Sequence, residues 1–175
     1  MNSFKEYIRI NEWKFDKEKK VKKTFNHFPK TKEELMGLIE ERTSKNLLEP
    51  YLLDIDTSLI DTMTSIFSIQ NSIKFRKIER LDLSTWNVSN VKFMNDMFNG
   101  CENLKYLNIK NWNTSNVSQM IAMFKNCESL EEIIGLDEIN SNGYLNNVQF
   151  MNYMFEDCNE KVIPDWYDQT YWNAR

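Results

Sequence analysis

Apolar residues return at fixed distances along the middle of the chain. Nine positions recur at one constant offset: Leu81, Trp86, Asn90, Val91, Met94, Met97, Phe98, Cys101 and Leu104 match Leu107, Trp112, Asn116, Val117, Met120, Met123, Phe124, Cys127 and Leu130. A third copy follows at a longer offset, with five additional residues ahead of it in 135–147: Asn147, Val148, Met151, Met154, Phe155 and Cys158. A weaker copy precedes the first by the same longer offset: Ile60, Met63, Ile66 and Phe67. The pattern predicts four related units, of which the outer two are degenerate.

Each unit combines two periodicities. The segments RLDLS, at 80–84, and YLNIK, at 106–110, alternate apolar and polar residues, as a short half-buried strand does. The apolar residues that follow stand at helical spacing: Val91, Met94, Met97 and Phe98. Ser89 or Ser115, just before such a run, is a suitable helix N-cap. Each unit is therefore predicted to form one strand and one short helix.

A unit of this size cannot bury its apolar side alone. When it packs against a copy of itself, equivalent residues of successive units become neighbours in the interior. We therefore expect Phe98 and Phe124 to be fully buried next to each other, with Met94 and Met120 beside them. The residues that change between units are expected to face water or a partner.

The motif LDLSTWNVSNVKFMNDMFNGCENLKYL, at 81–107, resembles the BspA-like leucine-rich repeat, which also occurs in mycoplasma surface lipoproteins. The resemblance covers residues 52–160, approximately. It implies a right-handed leucine-rich-repeat solenoid and no catalytic chemistry, and family members are generally surface or adhesion proteins. The predicted fold class is an α/β repeat: a short right-handed leucine-rich-repeat solenoid of about four strand-helix coils with a helical N-terminal cap.

The segment before the repeats is predicted to be helical. Thr31 and Glu34 stand at capping-box spacing, which predicts a helix over 32–44, and a second helix is predicted from Ser3 to Ile10. Open ends of repeat arrays need polar-faced caps, so these helices are expected to cover the first unit. The predicted domains are a helical N-terminal cap with a basic arm at 1–48, the repeat solenoid at 49–160, and an aromatic C-terminal cap at 161–175.

The C-terminal segment departs from the repeat at Pro164 and is rich in aromatic residues: Trp166, Tyr167, Tyr171 and Trp172. Two interpretations remain open. The aromatic side chains could cover the last unit as a cap. They could also be an exposed anchor for a partner, because Trp and Tyr are frequent hot-spot residues.

Charge is unevenly distributed along the chain. Residues 1–32 contain ten Lys or Arg against four Asp or Glu, and the remainder contains twelve against twenty-two. The run KEKKVKK, at 17–23, could contact nucleic acid, or it could be a solvated face packing on the acidic body. No apolar run has the length of a signal peptide or of a membrane span, so we expect a cytoplasmic protein, with a virion location as an alternative.

Candidate chemistry is sparse. Cys101, Cys127 and Cys158 share one repeat position and lack the CxxC pairs of zinc sites, so they are expected to be buried thiols. His27, the single histidine, has no acid or nucleophile at a catalytic spacing, and the Met positions are explained by core packing. The chain has no glycine-rich phosphate loop. We therefore expect no enzymatic activity, no cofactor, no metal and no small-molecule substrate.

The predicted function is a non-catalytic protein-protein interaction module. Its expected binding residues are outward strand positions and C-terminal aromatics: Arg80, Asp82, Ser84, Tyr106, Asn108, Lys110, Glu132, Trp166, Tyr167 and Trp172. A structural or assembly component of a bacteriophage virion is an alternative, because the opening MNSFKEYI resembles the amphipathic starts common in phage proteins. Contact with nucleic acid through the basic arm is a second alternative.

Overall fold

The computed structural model of the protein describes residues 25–173. Its longest helix, α1, spans Lys32–Lys45. The Thr31 hydroxyl accepts a hydrogen bond from the Glu34 backbone N–H at 3.3 Å, and the Glu34 carboxylate accepts one from the Lys30 N–H at 2.7 Å. These two bonds satisfy N–H groups that have no partner inside a helix, so the helix predicted over 32–44 is confirmed. The helix predicted from Ser3 to Ile10 and the basic run at 17–23 lie outside the described residues.

The described residues form one parallel sheet of three short strands. The strands are β1 (Arg80–Asp82), β2 (Tyr106–Asn108) and β3 (Glu132–Ile134), in the order β1-β2-β3. Leu81 is paired with Leu107, and Leu107 with Ile133. These partners occupy the same position in successive units, so the repeat offset sets the register of the sheet.

Short helical segments complete the regular structure of residues 25–173. They are a 3-10 helix at Ile73–Lys77, helix α2 at Leu136–Ser141, a 3-10 helix at Glu160–Val162 and helix α3 at Gln169–Asn173. Helix α2 lies within 135–147, where the sequence places the five additional residues of the third unit. The longer offset is therefore accommodated by a local helix, and the pairing on either side of it is kept.

The prediction of a short helix in each unit is wrong. Residues 91–94 have no regular structure beyond a bridge at Phe93, residues 95–98 form turns, and Asp96 has a φ of 55° that an α-helix does not contain. Their backbone N–H groups bond to the following unit: Met94 N–H donates to the Gln119 carbonyl at 2.9 Å, and Phe98 N–H to the Met123 carbonyl at 2.9 Å. The apolar residues still point to one side, because consecutive turns bring every third or fourth residue inward.

The prediction of a short right-handed leucine-rich-repeat solenoid of about four strand-helix coils is therefore wrong. The described residues contain three short parallel strands in one sheet and three α-helices, which do not alternate unit by unit. The weak first unit contributes no strand and takes part only in isolated parallel bridges, such as that between Thr62 and Phe93. A degenerate sequence with turns in place of helices cannot produce the predicted strand-helix coils.

Equivalent side chains nevertheless meet in the core. The phenyl rings of Phe67, Phe98, Phe124 and Phe155 follow one another with centroid distances of 5.5, 5.5 and 5.3 Å. Phe98 and Phe124 are both 0% exposed, so their predicted burial is confirmed. Met94 and Met120 are also buried. The interior is thus a column of like residues, which offset-stacked aromatic rings stabilise.

Polar side chains tie the units together at the surface and in the interior. Asn90, Asn116 and Asn147 donate through Nδ2 to carbonyls of the preceding unit, at 2.7, 2.6 and 2.6 Å. Trp112 Nε1 donates to the Leu83 carbonyl at 3.0 Å. The repeated Asn and Trp positions therefore satisfy backbone acceptors between units, which accounts for their recurrence in the sequence.

Candidate functional site

The sheet places three predicted binding residues side by side. Arg80, Tyr106 and Glu132 are successive Cα partners at the start of β1, β2 and β3, and all three are half-exposed. We call them the strand row. The Arg80 guanidinium carbon lies 5.3 Å from the centroid of the Tyr106 ring, which is a cation–π distance. The row therefore presents a cation, an aromatic ring and a carboxylate in adjacent positions.

Neighbouring groups hold the phenol of the strand row. The Tyr106 hydroxyl donates to the Glu131 carboxylate at 3.0 Å. Partial burial, reinforced by this carboxylate, raises the pKa of Tyr106, so the ring stays neutral at physiological pH. The Nε–H of Arg80 is buried without a hydrogen-bond partner among residues 25–173. The aromatic centre of the row is thus fixed in place, and its guanidinium keeps one unused donor.

Ion pairs between successive units flank the strand row. Lys105 Nζ lies 3.1 Å from Glu79 Oε2, and Arg76 Nη2 lies 3.0 Å from Glu102 Oε1. Each pair joins residues about one unit apart in sequence and lies at the surface, where single pairs contribute about 0–1 kcal/mol. Their main effect here is to surround the row with charges of both signs.

The other predicted strand residues have local roles. The Asp82 carboxylate accepts a hydrogen bond from the Ser84 N–H at 3.0 Å, and the Asn108 side chain accepts one from the Lys110 N–H at 3.1 Å. Asn108 is buried, and Lys110 is exposed. Asp82, Ser84 and Asn108 thus form the turns that end β1 and β2.

The C-terminal aromatic residues differ in their surroundings. The Tyr167 ring packs edge-on against Phe155 with centroids 5.1 Å apart, and its hydroxyl donates to the Met151 carbonyl at 2.9 Å. Tyr167 is buried, which raises its pKa and matches the cap interpretation. Trp166 and Trp172 are partly buried against the core. Tyr171 is exposed, and the exposed-anchor interpretation stays a prediction for Trp166, Tyr171 and Trp172.

The cysteine side chains form hydrogen bonds across units. The thiols of Cys101 and Cys127 donate to the carbonyls of Phe67 and Phe98, each at 3.2 Å. Burial raises the pKa of Cys101 and Cys127 strongly and that of Cys158 to about 12, so all three are protonated at neutral pH. Within residues 25–173, no three His, Cys, Asp or Glu side chains are arranged to hold a metal ion.

The single histidine belongs to a structural network. Arg42 Nη2 lies 2.7 Å from His27 Nε2 and 3.0 Å from Asp54 Oδ2. The guanidinium can only donate, so His27 Nε2 is the acceptor in this contact. The network joins α1 to the first unit, and Asp54 is buried in it.

The structure contains a cleft beside β3 that the sequence did not predict. It has a volume of about 550 Å³ and lies between residues 131–137 and residues 161–166. We call it the edge cleft. The departure from the repeat at Pro164 is the sequence signal that points to this region.

The chain belongs to a protein family known from mycoplasmas. The family model described as "Mycoplasma protein of unknown function, DUF285" matches residues 41–166, which include all four units. No curated protein and no solved structure gives a significant match to the chain. Among residues 25–173, no helix is both long enough and apolar enough to cross a membrane.

Proposed function

We propose that this chain is a non-catalytic protein-binding module that holds its partner through the strand row. The observation that carries the proposal is the stacking of Arg80 on Tyr106 at 5.3 Å, with Glu132 at the next position of the sheet. Arg and Tyr are among the residues that contribute most to binding energy at protein interfaces. Their positions on paired strands also make them more rigid than loop residues.

The surroundings of the strand row suit recognition of a polar protein surface. A specific interface buries about 800 Å² on each partner, which is more than three side chains supply. The flanking pairs Lys105–Glu79 and Arg76–Glu102 enlarge the charged area. Charges of both signs in fixed positions favour one orientation of a partner with complementary charges.

The family resemblance supports the same conclusion. The repeat motif at 81–107 is similar to the BspA-like repeats of surface and adhesion proteins, and the family match covers that motif. We propose that the chain shares a binding role of this type.

The proposal is tested by comparing a strand-row variant with a matched variant on another surface. The partner is first captured from cell extract with the full chain and identified by mass spectrometry. Its affinity is then measured for wild type, for Arg80→Glu with Tyr106→Ala, and for the control Lys92→Glu with Phe93→Ala. Both control positions are exposed in the separate series of bridges that joins Phe93 to Gln119.

We expect the strand-row variant to bind at least about tenfold more weakly, because truncating one hot-spot residue costs about 2 kcal/mol or more. The control should bind as wild type does. Both variants should keep the wild-type circular dichroism spectrum. Wild-type affinity in the strand-row variant, or an equal loss in the control, contradicts the proposal.

A further inference from the structure

The outer edge of β3 carries backbone groups that the sheet does not use. Within the sheet, the Glu79 carbonyl accepts from Lys105 N–H, and the Leu83 N–H donates to the Asn108 carbonyl, both at 2.9 Å. The equivalent groups of the third strand are the Glu131 carbonyl, both polar groups of Ile133 and the Gly135 N–H. These have no hydrogen-bond partner among residues 25–173. An edge of this kind can accept another strand.

Within residues 25–173, no segment supplies that strand. Residues 161–166 face the edge of β3 across the edge cleft. The N–H groups of Val162 and Ile163 bond instead to the Asn159 and Glu160 carbonyls, within their own 3-10 turn. Proline at 164 has no N–H to donate. The edge cleft therefore has an unused backbone edge along one side.

The edge cleft is acidic. Its charged lining residues are Glu131, Glu132, Asp137 and Asp165 against Lys161. Glu131, Asp137 and Asp165 are exposed. An extended peptide that pairs with β3 would lie next to these carboxylates, so the cleft favours a lysine-rich occupant.

We propose that the edge cleft binds residues 17–23, KEKKVKK, from a second copy of this chain, and this goes beyond the proposed partner site. The segment contains five lysines and one glutamate, which complements the acidic cleft. The described residues begin at the end of the fold opposite to β3. His27 forms a parallel bridge with Ile55, in the first unit, whereas β3 is the last strand of the sheet.

Distance favours the second copy over the same molecule. Four strand spacings separate the His27 position from β3, which is about 19 Å at about 4.8 Å each. Residue 23 is four residues from His27 and reaches about 14 Å from it at full extension. One molecule therefore cannot place the whole segment in its own cleft, whereas the next molecule in a head-to-tail arrangement can. Pairing of two β3 edges would instead bring Glu131 and Glu132 of both copies together, which like-charge repulsion disfavours.

Sedimentation velocity of the full chain tests the proposal. We expect wild type to associate with increasing concentration at low salt and to dissociate at high salt, because the contact is charged. An arm variant replaces Lys19, Lys20, Lys22 and Lys23 by Glu. A cleft variant carries Asp137→Lys and Asp165→Lys, which leaves the strand row unchanged. The control, Glu40→Lys with Glu128→Lys, reverses two exposed acidic residues outside the cleft.

Each of the first two variants alone should associate at least about tenfold more weakly than wild type, since like charges now face each other across the contact. The control should associate as wild type does. Mixing the arm and cleft variants should restore association, because each arm then meets a cleft of opposite charge. A monomeric wild type, an unaffected cleft variant or a mixture that stays monomeric overturns the proposal. None of these results alters the strand-row test, which measures a different partner.

Discussion

The phenyl rings of Phe98 and Phe124 lie parallel, with centroids 5.5 Å apart and planes 3° from each other. Phe67 precedes Phe98 at 5.5 Å, and Phe155 follows Phe124 at 5.3 Å. Each of the two central rings therefore stands between two others. Removing one leaves a cavity that both neighbouring units border, because the rings on either side are themselves held by their own units.

Truncation of a central ring is expected to destabilise the protein strongly. Phe98→Ala and Phe124→Ala should each lower the free energy of unfolding by about 3–5 kcal/mol, the usual cost of such a core cavity. Phe93→Ala, at a ring that is 38% exposed, is the matched control and should cost much less. Urea denaturation of the three variants measures the difference. A loss below about 1 kcal/mol for Phe98→Ala or Phe124→Ala contradicts the stacked core.

The two buried tryptophans should respond unequally to replacement by Phe. Trp86 Nε1 donates to the Leu52 carbonyl, for which residues 25–173 provide no other donor. Trp112 Nε1 donates to the Leu83 carbonyl, which also accepts from the Trp86 N–H. Trp86→Phe should therefore cost about 1 kcal/mol more than Trp112→Phe, since it leaves a buried acceptor unpaired. Thermal and urea unfolding compare the two, and equal costs would argue against this hydrogen-bond account.

Gly135 cannot be replaced without strain. Its φ is 97°, and an added Cβ would lie 2.7 Å from the Lys110 Cα. Gly135→Ala should therefore lower the free energy of unfolding by about 2 kcal/mol or more. Gly37→Ala is the control: Gly37 lies in α1 with open space around it, so alanine should stabilise by about 0.5–1 kcal/mol. Urea denaturation gives both values, and losses of similar size at the two sites would count against the close approach.

Thiol labelling should distinguish the three cysteines. At pH 8 we expect Cys101 and Cys127 to resist alkylation in the folded protein, because burial raises the pKa of both and blocks access. Cys158, which is half-buried, should react slowly but first. All three should react rapidly in denaturant. Mass spectrometry after timed quenching locates the label, and early modification of Cys101 in the native protein would contradict its burial.

The same thiols make stability depend on alkaline pH. Their folded pKa values are raised above the ordinary value of about 8.5, so both states hold the thiol protons below that pH. Above it the unfolded state loses these protons first, and the free energy of unfolding should fall as pH rises. Denaturation of wild type and of Cys101→Ala with Cys127→Ala between pH 8 and 11 isolates the effect. The variant should lose less stability over that range, and parallel curves would exclude the thiols as the cause.

The sequence predicts the register of the paired strands and the identity of the buried residues. The repeat offset that matches Leu81 with Leu107 is the register of the sheet, and Thr31 with Glu34 predicts the start of α1. The predicted helices fail for a physical reason. The spacing of apolar residues indicates which side chains face inward, but it does not indicate the hydrogen-bond partners of the backbone. Here the Met94 N–H bonds to a carbonyl of the following unit instead of a carbonyl of its own helix turn. Ala122 has a left-handed φ of 52°, a conformation that alanine rarely adopts and that its residue type therefore does not predict.

The candidate site is predictable only in part. Alternation along β1 and β2 predicts Arg80 and Tyr106 on the outer side of the sheet, and both are half-exposed. It does not reveal that Asp82 and Asn108 turn back onto the chain, because that depends on how each strand ends. The edge cleft depends on the path of residues 161–166 after the last strand. The departure from the repeat at Pro164 marks where that path changes, but no local pattern encodes the path itself.

The matched spacing of the units also bears on how such a gene can change. Backbone N–H groups of one unit bond to carbonyls of the next. The ring contacts repeat as well: Phe98 packs on Phe124 in the same way as Phe124 packs on Phe155. Recombination that duplicates or deletes one whole unit joins surfaces that already fit. A gain or loss of a few codons inside a unit shifts the register with both neighbours, unless the added residues form a local structure of their own, as α2 does within the third unit. The length of the protein is therefore expected to evolve mainly in steps of one unit.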